Sequence, residues 1–279
     1  MKKMHKLGAG IATLAAAAVL ALAGCGNTTA ADSGSTVGSA VGTTTKDGYA
    51  LVADGTLTVG TAAEYEPFEY MEDGEYKGFD LELIGKVAEK LGLELKIENV
   101  DFDTIVPGVA SGTKYDVGIA AISVDPKREK QVDFTDDYYM DDQAIVTMKG
   151  NTEVTSDNAT EVLDSADKTI IAQSGSTAEA FAKENFPEAT IKTLKNATEC
   201  FSALQAGQGD ALVTNRSVAA QMVANQFGDC QMVKQVSTGE SYAIAVSKDN
   251  PKLTEAINKA LKELTDDGTV DELMAKYNV

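Results

Sequence analysis

From Leu57 onward the hydrophobic positions alternate between short apolar runs and longer stretches with helical spacing. LTVGTAA (Leu57 to Ala63) is β-branched and strand-like. DLELIGKVAEKLG then sets Leu81, Ile84, Val87, Ala88 and Leu91 on one helical face. LELKIENV alternates as a half-buried strand would, FDTIVPGVASG returns to a helix-like pattern, and DVGIAAI (Asp116 to Ile122) is a further apolar strand. Near-continuous apolar strands separated by helices predict a mainly parallel sheet covered on both faces.

The pattern restarts after the polar loop from Lys149 to Asp157. TIIAQ, ATIKTL, DALVT and QMVKQV read as strands, with STAEAFAKENF, ATECFSALQAG and SVAAQMVANQF as the helices between them. This is a second α/β unit. The chain then runs through a strand, SYAIAVSK (Ser241 to Lys248), into DNPKLTEAINKALKELTDDG, where Leu253, Ile257, Leu261 and Leu264 form a helical stripe.

The first residues follow a different rule. Basic MKKMHK precedes an uncharged apolar stretch from Leu7 to Ala23 and the tetrapeptide Leu22-Ala23-Gly24-Cys25, which resembles the bacterial lipobox. Residues 1–24 are therefore expected to be a lipoprotein signal peptide, with Cys25 the lipidated first residue of the mature chain. Residues 25–49 are mostly Gly, Ser, Thr and Ala, cannot bury a core, and are expected to be a flexible tether. No later segment approaches the ~20 apolar residues of a membrane-spanning helix.

With 279 residues, 43% hydrophobic and 24% charged, the chain has material for one or two domains. Its net charge is −19, and removal of Lys2, Lys3 and Lys6 with the leader makes the mature chain more acidic still. Nucleic acid is not an expected partner, since such a surface repels a polyanion. The single histidine, His5, lies in the leader, which excludes Ser-His-Asp and Cys-His catalysis and histidine-ligated metals from the mature protein. GVASGTK lacks the spacing of a phosphate loop, and Thr265-Asp266-Asp267-Gly268 lacks the ligand pattern of a calcium loop. No metal, cofactor or catalytic set is expected. Cys200 and Cys230 leave both a disulfide and two buried thiols open.

Arginine is the most informative residue type. The chain has only Arg128 and Arg216, against lysine everywhere else. A guanidinium offers a planar fork that holds a carboxylate bidentately, and Arg128 follows the GIAAIS strand, at the end where α/β sheets take ligands.

Residues 56 to 277 resemble the polar amino-acid-binding proteins of ABC importers. The resemblance is carried by GTAAEYEPFEY, GEYKGFDLELIGKVAEKLG, DFDTIVPGVASGTKYDVGIAAISVDPKREKQVDFTDDYY and YAIAVSKDNPKLTEAINKALKELTDDGTVDELMAKY, in that order. It implies a type II periplasmic-binding-protein fold, two α/β lobes joined by two strands crossing near Tyr139 to Ala144 and Glu240 to Ile244. Lobe one would be residues 50–141 with 242–279, and lobe two residues 142–241. It also implies a small carboxylate ligand, a polar amino acid, clamped by lobe closure and passed to an ABC permease. Position by position, Tyr65 and Phe102 match the aromatic side chains that sandwich the ligand. Ala121 and Ser123 match the groups that meet its ammonium, and Arg128 matches the carboxylate-binding arginine. From lobe two, QSGSTAE from Gln173 brings Thr177 to the carboxylate, and Ser176 with Glu179 reads as a capping box whose free amides form an anion site.

Two departures stand out. Asp125-Pro126-Lys127-Arg128 replaces the family's Thr-x-x-Arg, and Asn215 replaces the aspartate that pairs with the ligand ammonium. Asn215 is also a good helix N-cap. Either Glu64 or Glu240 would then serve the ammonium, or the ligand is a carboxylate without one, with Arg216 reading a second anionic group. An enzyme on the same fold, a dehydratase or lyase, would have to use Glu64, Glu66, Glu240 or a lysine as its acid or base. A sensor module presenting its ligand to a separate membrane receptor is the third option.

Overall fold

The computed structural model describes residues 43–279. The leader, Cys25 and most of the expected tether lie outside the described residues. The tether's last residues do not behave as one: β1 (Thr43–Thr44) pairs with β2 (Ala50–Leu51), and Tyr49 is buried with Leu51 in the core. A tyrosine ring and a leucine next to the folded part gain more by burial than a solvated linker would retain.

The first lobe begins with β3 (Thr56–Thr61), then a small antiparallel sheet of β4 (Glu64–Tyr65), β5 (Glu69–Glu72) and β6 (Glu75–Lys77). Helix α1 (Phe79–Leu91) follows, burying Leu81, Ile84, Val87 and Ala88. It stops at Gly92, whose φ of 68° lets its own N–H and that of Leu93 return to the carbonyls of Glu89 and Ala88. Strand β7 (Glu94–Asn99), a single 3₁₀ turn at Phe102–Thr104, helix α2 (Ile105–Ala110), β8 (Val117–Gly118) and β9 (Val132–Phe134) complete this stretch.

The chain leaves through β10 (Tyr139–Met148). The second lobe adds α3 (Ala159–Leu163), β11 (Thr169–Gln173), α4 (Thr177–Asn185), β12 (Thr190–Leu194), α5 (Ala197–Gln205), β13 (Ala211–Asn215) and α6 (Arg216–Asn225). It returns through β14 (Cys230–Tyr242) to β15 (Ala245–Ser247), α7 (Pro251–Asp266) and α8 (Thr269–Tyr277). Helix α7 buries the stripe of Leu253, Ile257, Leu261 and Leu264 and packs on α1. Among the described residues no helix is long and apolar enough to cross a membrane.

Each lobe is built on one five-stranded sheet, ordered β7-β3-β8-β15-β9 and β12-β11-β13-β10-β14. This is the two-lobed α/β arrangement expected, but the sheets are mixed. β3 runs parallel to β7 and β8, and β11 to β12 and β13, whereas β15 and β10 run antiparallel to their neighbours. The strands that enter after a crossing arrive from the opposite end of the sheet. Phe68, Phe79, Tyr138, Tyr139 and Tyr242 pack at the crossing, with Phe68 and Tyr242 edge to face at 5.3 Å.

Periodicity misread one element and missed others. The apolar run from Asp116 to Ile122 is a strand only at Val117–Gly118; beyond it the chain turns outward and Ala121 adopts φ 46°. The hairpins of β4–β6 and helix α8 carry too short a pattern to be seen. Of the two alternatives left open for Cys200 and Cys230, the structure has two buried free thiols.

Candidate functional site

Ala121 is held in its left-handed conformation by a buried carboxyl pair. Its N–H donates to Asp80 Oδ2 at 2.7 Å, and Tyr138 Oη donates to the same oxygen at 2.8 Å. Glu69 lies alongside, and both its oxygens and Asp80 Oδ1 are buried without a donor. Two buried carboxylates cannot both be charged at such a place. Burial, and then the Asp80 charge, raise the Glu69 pKa well above the usual range, so Glu69 keeps its proton beside Asp80. Burial pushes Asp80 itself up to about 6, against the pull of Ala121 N–H, Tyr138 and Glu69.

Beyond Ala121, Ser123 bridges to Tyr242 and the chain turns through Asp125. Asp125 Oδ1 accepts from Lys127 N–H at 2.7 Å and Arg128 N–H at 3.3 Å, while Oδ2 stands 3.2 Å from Arg128 Nε. The departure from threonine at this position thus builds the turn and orients the guanidinium together. Arg128 is 7% exposed, donating from Nη1 to Ser123 O at 2.6 Å and from Nη2 to Gly175 O at 3.0 Å, with its guanidinium 5.4 Å from the Phe102 ring centre. Burial lowers its pKa, and Asp125 and Glu240 oppose that.

Gly175 belongs to the other lobe, so Arg128 ties the two together. A side chain at Gly175 would not fit: its φ is 73°, and a Cβ would lie 2.8 Å from Asp103 Cβ across the cleft. Ser176 caps α4 as expected, accepting from Glu179 N–H at 3.1 Å, while Glu179 Oε2 takes the Gly175 N–H at 2.7 Å. The first-turn amides of α4, without intrahelical acceptors, open beside Thr177.

Asn215 does not cap its helix. No side-chain cap bond forms on α6. Instead Asn215 Oδ1 accepts from Tyr65 Oη at 2.7 Å across the cleft, and its Nδ2 donates to Glu240 Oε2 at 3.2 Å. Tyr65 is 8% exposed because the second lobe covers it, and this burial raises its pKa. Gln173, at the end of β11, donates to Lys195 O at 3.1 Å.

All eight residues singled out from the sequence, Tyr65, Phe102, Ala121, Ser123, Arg128, Gln173, Thr177 and Asn215, line one cavity of about 10 Å³ between the lobes, with Ala120 and Ser176. That is below the ~300–1,000 Å³ of drug-sized pockets. Periodicity had not marked Gln143 as part of this neighbourhood: fully buried on β10, it donates to Thr177 Oγ1 at 3.2 Å and to Glu240 Oε1 at 2.6 Å. Gln143 directly follows Asp141 and Asp142 on the strand, so no sequence signal sets it apart. Glu64 lies instead in a neighbouring groove with Lys195 and Asn196, and Glu66 accepts from Gln221, Asn225 and Gln226 at the rim. Arg216 Nε faces Asp141 at 3.4 Å and does not line the cavity.

The profile of the bacterial extracellular solute-binding proteins, family 3, matches residues 57–279. The ABC transporter glutamine-binding protein GlnH of Bacillus subtilis is 32% identical over 283 residues, covering 99% of this chain and 97% of its own. Among solved structures, an ancestral arginine-binding protein bound to glutamine superposes with TM-score 0.75 at 40% identity, covering 81% of this chain and 98% of that one. An ancestral amino acid-binding protein, a precursor of cyclohexadienyl dehydratase, gives TM-score 0.74 at 35% identity over 80% of this chain and 95% of that one. The chain, with two α/β lobes of the type II arrangement and a cleft between them, belongs to the bacterial extracellular solute-binding proteins, family 3.

Proposed function

We propose that this protein captures a small amino acid outside the cell and delivers it to the permease of an ABC importer. The ligand's carboxylate meets the Arg128 fork and the first amides of α4, its body lies between Tyr65 and Phe102, and its ammonium faces Ala121 O and Ser123. The observation that carries this reading is the buried guanidinium of Arg128 set against a helix start in a closed cavity. Oriented N–H donors in a water-poor site bind a carboxylate strongly. The glutamine-binding relative and the glutamine-bound structure support an amino-acid ligand.

Lobe one (residues 50–141 with 242–279) and lobe two (142–241) close over the ligand, with the hinge in β10 and β14. Lipidation at Cys25 tethers the protein to the cell membrane. Binding without chemistry fits the cavity, whose lining includes none of Glu64, Glu66, Glu240 or a lysine. A carboxylate ligand lacking an ammonium is less favoured, because Arg216 is engaged by Asp141.

A thermal-shift screen of common L-amino acids and small mono- and dicarboxylates tests the reading. A ligand at a hundred times its Kd adds about 2.7 kcal/mol of stability, a shift of several degrees. An amino acid is expected to give the largest shift; stabilisation by carboxylates alone would refute the proposal.

A further inference from the structure

The residues lining the cavity supply one charge, that of Arg128, yet a carboxylate is bonded to three of them. Glu240 Oε2 accepts from Ser123 Oγ at 2.7 Å, Thr177 Oγ1 at 2.7 Å and Asn215 Nδ2 at 3.2 Å. Its other oxygen takes Gln143 Nε2 at 2.6 Å.

Strand irregularity brings it there. Asp141 on β10 pairs with Glu240, but Gln143, two residues on, pairs with Val236, so β14 bulges between them. Asp142 holds the bulge: its Oδ1 accepts from Thr238 and Gly239 N–H at 3.0 and 3.2 Å, and Oδ2 from Gln235 Nε2 at 2.7 Å. A bulge re-aims a side chain, and here it turns Glu240 toward the cleft.

Asn215 cannot do the same work. Its only acceptor, Oδ1, is taken by Tyr65, so it turns a donor toward Glu240. Of the two other acidic candidates, Glu64 lies in the neighbouring groove and Glu66 is held at the rim. A cleft with one guanidinium and one carboxylate complements a zwitterion.

We propose that Glu240 is the countercharge for the ligand's α-ammonium and thereby selects amino acids over the same carboxylates without an amino group. This rests on the amino-acid reading above. An ammonium arriving at Glu240 Oε2 replaces the hydroxyl donors of Ser123 and Thr177; Thr177 rotates to donate to the ligand's carboxylate, and the Ser123 oxygen accepts from the ammonium. Gln143 Oε1, buried without a donor among the described residues, is a further acceptor on the amide bonded to Glu240.

The test is calorimetry on the full chain with the tightest-binding common L-amino acid and with the same molecule lacking its α-amino group. Glu240→Gln should weaken the amino acid about tenfold to a hundredfold, as expected for loss of a charged acceptor. The analogue should bind as before or better, so the ratio between the two collapses. Adding Asn215→Asp to Glu240→Gln should restore most of the amino-acid affinity by returning a carboxylate to the same neighbourhood. An unchanged ratio in Glu240→Gln overturns the inference while leaving the amino-acid reading intact. So does a collapse that Asn215→Asp fails to restore in a protein that melts like wild type, since Glu240 is then a scaffold. If no amino acid binds the wild-type chain, the functional reading fails and the inference falls with it.

Discussion

Replacing Asp80 by Asn should make the protein more stable at neutral pH than the wild type. Asp80 is fully buried, and burial lifts its pKa from 3.8 to about 6. An acid whose pKa rises on folding holds, in the native state, a proton the unfolded chain has released. The stability it contributes is therefore fully present below about pH 3.8 and is lost as the pH rises through about 6. At 1.36 kcal/mol for each tenfold change in proton affinity, the loss is about 3 kcal/mol. An asparagine keeps the contacts: its amide oxygen accepts from Ala121 N–H and Tyr138 Oη. It does not titrate. Removing the Asp80 charge also relieves Glu69, in the same direction. Urea unfolding followed by circular dichroism at pH 4 and pH 7 should show the advantage of Asp80→Asn over wild type growing by about 3 kcal/mol across that interval. Amino-acid affinity should persist, because Ala121 keeps its acceptor. A pH-independent difference between the two proteins would refute the burial-raised pKa of Asp80.

Arg128→Lys should weaken amino-acid binding by about 2 to 4 kcal/mol in calorimetry, because a point charge cannot replace a fork that reaches Ser123 O and Gly175 O while facing a carboxylate; unchanged affinity would remove Arg128 as the anchor. Cys25→Ala should abolish incorporation of labelled fatty acid and leave the precursor uncleaved before residue 25; a labelled mutant would exclude lipidation there.

Much of the fold was legible because burial leaves a period. The stripe of Leu253, Ile257, Leu261 and Leu264 and the face of Leu81, Ile84, Val87 and Ala88 are buried helical faces, and both show at helical spacing in the sequence. Short or irregular segments left none. β8 is two residues long, and the Asp116 to Ile122 run breaks at Ala121 because Asp80, distant in sequence, captures its amide. The mixed direction of the sheets depends on which end the chain re-enters from, which no local pattern encodes.

The candidate site divides the same way. The residues themselves marked the rare arginine and the capping box at Ser176, and the resemblance to the family supplied the eight residues found around one cavity. It also exposed the conflict at Asn215, but could not say what Asn215 does, since a helix cap and a cleft residue look alike in one dimension. Only the tertiary structure decided that Tyr65 takes the Asn215 oxygen, that Arg216 turns to Asp141, and that a bulge delivers Glu240 to Ser123, Thr177 and Asn215. The physical reason is range: hydrophobic period and capping act within a turn or two of chain, whereas a charge is positioned by strand register and lobe contact between residues more than a hundred positions apart, as Ser123 and Glu240 are.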